Sequence, residues 1–218
     1  FWREGREHGV NVLWLSPTML RSLLLMHRSD RPVTTTEVSF GFLGMATSRL
    51  EEKERFETVF EIPLLENYAL SETTLITTER LDRTARRRNG SVGSIVPWTE
   101  LRISEAEDDR PGEIEVRTPF LFDGYLRSSG EIERPLTADR WFRTGDLGVL
   151  DEDVLVVQGR TREIIKKGGY LIVLRELEEV AETQGDVLEA VAIPVEHDFY
   201  GESTVLCVRL RDERLAAP

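Results

Sequence analysis

Three short runs of this sequence combine residue types that bind nucleotides or metal ions. Glu66-Asn67-Tyr68-Ala69-Leu70-Ser71-Glu72-Thr73-Thr74 offers an aromatic plane, a hydroxyl and a carboxylate close together. A flat base could stack on Tyr68 and Ser71 could hydrogen-bond a phosphate oxygen. Glu72 suits Mg²⁺, a hard ion that prefers carboxylate oxygen. The same residues would also make a buried tyrosine followed by a polar turn. Trp141-Phe142-Arg143-Thr144-Gly145-Asp146-Leu147 puts Asp146 directly after a glycine. A carboxylate there can accept from a ribose diol, or it can stabilise a turn ahead of a strand. In the run from Gly159 to Tyr170, Arg160 and Lys166 could reach phosphate or ribose oxygens. The alternative is a charged linker and a solvated hairpin edge.

The elements around these runs must position them. Residues 10–15 form a β-branched apolar run that reads as a buried strand. Pro17 opens a helix over 18–27, with Leu20, Leu23 and Leu24 on one face. Residues 29–36 read as a loop and 38–43 as a strand. Ser48-Arg49-Leu50-Glu51 reads as a capping box that opens a helix to Phe60. A third strand follows at 64–68. This alternation predicts a parallel α/β sheet, and it puts the Tyr68 run at a strand's carboxyl end, where open α/β sheets bind ligands.

After Thr78 the texture changes. Residues 80–89 hold five arginines and read as an exposed loop. Strands are predicted at 100–103, 113–117, 148–150 and 154–157, the last two around a hairpin tip at 151–153, giving a β-rich, barrel-like subdomain. From Gly159 a hairpin over 163–167 and 170–173, a helix over 175–182 and strands at 187–194 and 204–210 read as the start of a small α+β domain. The expected fold class is α/β: a parallel-sheet portion, a β-rich barrel-like subdomain, then this small domain. The expected units are 1–158, divided at 78/79, and 159–218.

Composition narrows the function. Apolar residues are 40% and charged residues 31%, the balance of a soluble globular protein. The net charge of −12 argues against a nucleic-acid partner. No apolar run is long enough to span a membrane. Cys207 is the only cysteine, so no internal disulfide forms and no thiolate metal cage is available; this fits a reducing, cytoplasmic setting. His8, His27 and His197 have no metal-site spacing. Only Lys53, Lys166 and Lys167 are lysines among 28 Lys and Arg residues.

Taken together, the order and spacing of these runs resemble the adenylate-forming enzymes: acyl- and aryl-CoA synthetases, peptide-synthetase adenylation domains and firefly-type luciferases. Val12-Leu13-Trp14-Leu15-Ser16-Pro17-Thr18-Met19-Leu20 is similar to the strand entering that family's PTML. Gly44-Met45-Ala46 stands where the family has Gly-Gly-Ala, and Tyr68-Ala69-Leu70-Ser71-Glu72 resembles YGxTE. Gly90-Ser91-Val92-Gly93, Gly112-Glu113-Ile114-Glu115-Val116 and Gly124-Tyr125-Leu126 resemble further blocks. Thr144-Gly145-Asp146-Leu147 is similar to TGDL, and Gly159 to Lys166 to GRxKExIK. Asp198-Phe199-Tyr200-Gly201-Glu202 resembles a later small-domain block.

The resemblance implies an ATP-dependent acid–thiol ligase, of which this chain is a fragment. Tyr68 would stack on adenine, with Gly44, Met45 and Ala46 opposite. Ser71 would contact the α-phosphate and Glu72 would ligate Mg²⁺. Asp146 and Arg160 would hold the ribose, and Lys166 is a candidate catalytic cation. Asn67, Ala69, Leu75 and Ile76 would line the pocket for a small carboxylic acid. Arg162 would be the hinge, and Gly168 and Gly169 would border the thiol channel. A carboxylate attacks the α-phosphate of ATP to give an acyl-adenylate and pyrophosphate, and a thiol then displaces AMP. That thiol is coenzyme A or a carrier-protein phosphopantetheine. The alternatives are an amino-acid adenylation domain loading a carrier protein, or a non-catalytic adenylate-binding module. Departures from the family pattern are Ala69 for Gly, Ser71 for Thr and Leu174 for Pro. The family's Lys-bearing phosphate loop and its late small-domain Lys have no counterpart in this sequence, so the chain by itself is expected to be inactive.

Overall fold

The computed structural model describes residues 1–27, 37–46, 48–82, 87–104, 111–167 and 170–212. A short helix, α1 (Trp2–Glu7), precedes β1 (Val12–Leu15), whose Leu13 and Leu15 point inward. At Ser16 the side chain accepts the Met19 N–H at 3.2 Å and Pro17 takes the first position of α2 (Pro17–Met26), as Ser-Pro predicts. Next come β2 (Phe40–Leu43), α3 (Leu50–Phe60) and β3 (Leu64–Leu70). The three strands pair in parallel, as expected. Leu20, Leu23 and Leu24 of α2 and Phe56 and Phe60 of α3 close over them in one apolar core.

The capping box does not form. Ser48 donates its hydroxyl to Glu66 Oε1 at 3.0 Å. The Leu50 N–H is received instead by Asn89 Oδ1 at 2.9 Å. A buried carboxylate outcompetes the local cap for Ser48, so α3 is capped from 39 residues away.

Beyond β3 every pairing is antiparallel. The strands are β4 (Thr74–Thr78), β5 (Ser91–Ile95), β6 (Glu100–Ser104), β7 (Gly112–Arg117), the small pair β8 (Tyr125–Leu126) and β9 (Ile132–Glu133), then β10 (Phe142–Asp151) and β11 (Val154–Arg160). Among the described residues the large sheet runs β1-β2-β3-β4-β5-β11-β10-β7-β6. β3 belongs to both halves: it pairs with β2 through Glu66 and with β4 from Asn67 onward. The antiparallel half curls around Tyr68, Ile76, Val92, Ile114, Val116, Phe142 and Leu155, which is the barrel-like part. The sequence reading left out β4 and β5. Gly93 explains why they can lie so close: its φ is +83°, and a Cβ there would sit 2.1 Å from the Thr78 backbone.

A single 3₁₀ turn (Thr161–Glu163) leads to a second sheet. It is built from β12 (Ile164–Lys167), β13 (Tyr170–Val173), β14 (Val187–His197) and β15 (Gly201–Leu210), in the order β13-β12-β15-β14. Helix α4 (Leu174–Glu182) lies on it, with Leu174 and Leu177 against Ile165 and Ala192. No helix among the described residues is long and apolar enough to cross a membrane.

Candidate functional site

The Tyr68 and Asp146 runs meet, although 78 residues separate them. The Tyr68 hydroxyl donates to Asp146 Oδ2 at 2.6 Å, and Arg160 Nε lies 3.2 Å from Oδ1. Asp146 and Arg160 are also register partners across β10 and β11. Asp146 therefore sits inside a strand, where the sequence allowed a turn ahead of one. What aims it is a break in the β7–β10 register between Arg143 and Leu147, where Gly145 takes φ +75°. Side chains satisfy the main-chain groups released there. The Gly145 N–H donates to Glu113 Oε1 at 3.1 Å and the Asp146 N–H to Thr144 Oγ1 at 3.1 Å. The Thr144 hydroxyl in turn donates to the Ile114 carbonyl at 2.8 Å. Burial, and then the neighbouring Asp146 carboxylate, push the Tyr68 phenol far above its ordinary pKa, so Tyr68 is a fixed donor at any working pH.

These groups border a cavity of about 670 Å³, together with Met45, Ala46, Asn67 and Ala69. Asn67 is buried against the Gly44 backbone, where an added Cβ would approach Asn67 Oδ1 to 2.7 Å, and its Nδ2 has no hydrogen-bond partner. Met45 is exposed and held at φ +73°, at the end of the β2 strand. The lining also includes residues the sequence reading missed, among them Gln158 of β11 and Arg175, Glu176 and Glu179 of α4. Arg175 pairs with Glu178 at 3.2 Å and Glu179 at 3.1 Å. Arg49 binds Glu182 at 2.6 Å and so joins the start of α3 to the end of α4. No local pattern marks these α4 residues as cavity residues, because only the pairing of the second sheet brings the helix there.

Other expected site residues lie elsewhere. Ser71 and Glu72 occupy the turn between β3 and β4 and do not line this cavity. The Tyr125 hydroxyl donates to Glu72 Oε1 at 2.8 Å. Ile76 is fully buried in the core of the curled sheet, and Leu75 is half-buried on β4; neither borders the cavity, because β4 turns Ile76 inward. Gly168 and Gly169 lie outside the described residues, as do the side chains of Arg162 and Lys166. Among the described residues no three His, Cys, Asp or Glu side chains gather as a metal cage. Glu72 would offer Mg²⁺ a single carboxylate, a donor type that suits this ion beside phosphates.

The profile of the AMP-binding enzyme family matches residues 1–126, and the chain belongs to that family. It is 31% identical over 218 residues to the sulfoacetate–CoA ligase of Cupriavidus necator, covering 97% of this chain and 42% of the relative. The ATP-bound MatB structure from Rhodopseudomonas palustris superposes with a TM-score of 0.78 at 27% identity, covering 91% of this chain and 40% of that one. The o-succinylbenzoate CoA synthetase of Bacillus subtilis, in complex with its acyl-adenylate intermediate, gives 0.79 at 26% identity, over 96% of this chain and 43% of that one. The chain thus spans about two fifths of the length of the relatives it matches.

Proposed function

We propose that the chain supplies the nucleotide-binding part of an AMP-forming carboxylic acid–CoA ligase. The observation that carries this reading is Asp146, buried and held by both Tyr68 and Arg160 at the edge of a cavity that Met45 and Ala46 also border. A carboxylate fixed this way is a strong acceptor for a ribose diol. The acid's carboxylate oxygen attacks the α-phosphorus and pyrophosphate departs; the thiol sulfur of coenzyme A then bonds to the acyl carbon and AMP departs. Ser71 faces the α-phosphate in this scheme. Mg²⁺ at Glu72 would offset negative charge developing on the phosphates. Asn67 and Ala69 border the acid, Arg162 is the hinge, and Lys166, Gly168 and Gly169 belong to the face used with the thiol. Residues 1–158 and 159–218 form the two units that move relative to each other. The free, exposed Cys207 supports a reducing compartment, the cytoplasm.

The test is AMP binding by calorimetry. Asp146→Ala is expected to weaken AMP by about 1–3 kcal/mol, because a charge-assisted hydrogen bond to the ribose is lost. Asp146→Asn, which keeps an acceptor for Tyr68, separates that loss from disturbance of Tyr68. Unchanged AMP affinity in both variants removes Asp146 from the site.

A further inference from the structure

Glu66, which borders the cavity, belongs to a set of ionisable side chains that the scheme above does not use. Lys53 projects from α3 and is fully buried. Its Nζ pairs with Glu79 and lies 3.8 Å from Glu66 Oε2. Arg87 lies 3.5 Å from Glu79 and 2.9 Å from Glu57. Ser48 completes the shell around Glu66.

The location explains the set. β3 pairs with β2 through Glu66, but its other edge meets β4 only from Asn67 onward. Over residues 64–66 that edge has no paired strand among the described residues, and its buried main-chain groups must be satisfied. Side chains take the strand's place. The Leu64 N–H donates to Glu57 Oε1 at 2.7 Å, and the Leu64 carbonyl accepts from Arg87 Nη2 at 2.8 Å. The Glu66 N–H donates to Glu79 Oε2 at 2.9 Å, and the Glu79 N–H returns to the Glu66 carbonyl at 2.8 Å. Each carboxylate in this substitute strand needs a buried cation to remain in place. Arg87 serves Glu57, and Lys53 serves Glu79.

We infer that Lys53 is a positioning residue for the nucleotide base, acting through Glu79 on the main chain of Glu66 and so fixing the direction in which Asn67 and Tyr68 leave the parallel sheet. This rests on the nucleotide reading of the cavity. Without Lys53, Glu79 loses its closest cation, keeps only the longer contact to Arg87 at 3.5 Å, and withdraws from the Glu66 N–H. The β3 edge loses its anchor one residue before Asn67, whereas the ribose-side break at Gly145 is held independently by Glu113 and Thr144.

The distinguishing measurement compares AMP with ribose 5-phosphate, by calorimetry on folded protein. Lys53→Met is expected to lower the affinity ratio of AMP to ribose 5-phosphate by about tenfold, the size of one base's stacking contribution. Lys53→Met/Glu79→Gln should restore the ratio, because an amide oxygen can accept from Glu66 without a counter-charge. Equal weakening of both ligands, or no change in the ratio, overturns the proposal, since a purely structural role lowers both alike. If Lys53→Met does not fold, Arg87→Lys, which keeps the charge and gives up the donor to Leu64, is read by the same two outcomes. Absence of AMP binding by the unaltered chain would instead count against the nucleotide reading itself.

Discussion

The purified 218-residue chain is expected to show no acid-dependent ATP–pyrophosphate exchange, even under conditions where it binds AMP. Adenylation builds negative charge on the α-phosphate and on the departing pyrophosphate, and preorganised cations must meet it. Among the described residues, the cations bordering the cavity are already engaged: Arg160 by Asp146, Arg175 by Glu178 and Glu179, and Arg88 by Asp151 at 2.8 Å. Lys53 is buried under β3, and Lys167 lies over the Tyr200 ring at 5.5 Å. The two lysine motifs that the family resemblance assigns to this task have no counterpart in the sequence. Loss of one preorganised donor typically costs about 10²–10³ in rate, and here two are lacking. Isotope exchange with labelled pyrophosphate, on protein shown by calorimetry to bind AMP, reads this directly. Robust exchange would mean that the catalytic cations are among the residues present.

Replacing Glu66 by Gln is expected to make the chain more stable at pH 8 while leaving it nearly unchanged at pH 5. Glu66 is buried beside Lys53, whose Nζ lies 3.8 Å from its Oε2, and beside Glu79. Burial raises its pKa from 4.5 to about 7, although Lys53 and the Ser48 hydroxyl pull the other way. Between those two values the folded chain holds a proton that the unfolded chain has released. Stability from this group is therefore full below the unfolded value and is lost as pH rises through about 7. The shift corresponds to about 3 kcal/mol. Glu66→Gln keeps the acceptor for Ser48 and cannot ionise, so its stability should not fall over this window on account of this group. Urea unfolding at pH 5 and pH 8 compares the two proteins. A parallel fall in both would show that Glu66 is already ionised in the folded state.

Much of the architecture was written in local patterns. Ser16-Pro17 fixed the start of α2 because both the hydroxyl cap and the proline act within one turn. The apolar runs of β1 and β2 and the apolar face of α3 announced the parallel layer, and in the structure the two strands bury alternate residues, Leu13 and Leu15 on β1 and Gly41 and Leu43 on β2. The Asp151–Asp153 tip and the pairing of β12 with β13 were equally local. By contrast β4 and β5 are rich in Thr, Ser and Gly, and they become strands because the neighbouring β3 and β11 offer unpaired edges. Tyr68, Asp146 and Arg160 were each named as candidates from sequence, but only in combination, because any one of them is compatible with an ordinary turn or linker.

The sequence by itself determined the order of the parallel strands and their helices and of the second sheet's elements, the α/β class and the residue types able to bind a nucleotide. Those depend on periodicity, on turn chemistry and on which side chains are present. The tertiary structure alone decided that Tyr68 donates to Asp146, that Ser48 serves Glu66 instead of capping its own helix, and that Ile76 is core. It alone placed Lys53 in the interior. A lysine between glutamates on a helix reads as a solvated residue, because its nearest neighbours in sequence are charged. Its true partner, Glu79, lies 26 residues away. They meet only because β3 changes partners at Glu66 and leaves main-chain groups that buried charges must satisfy.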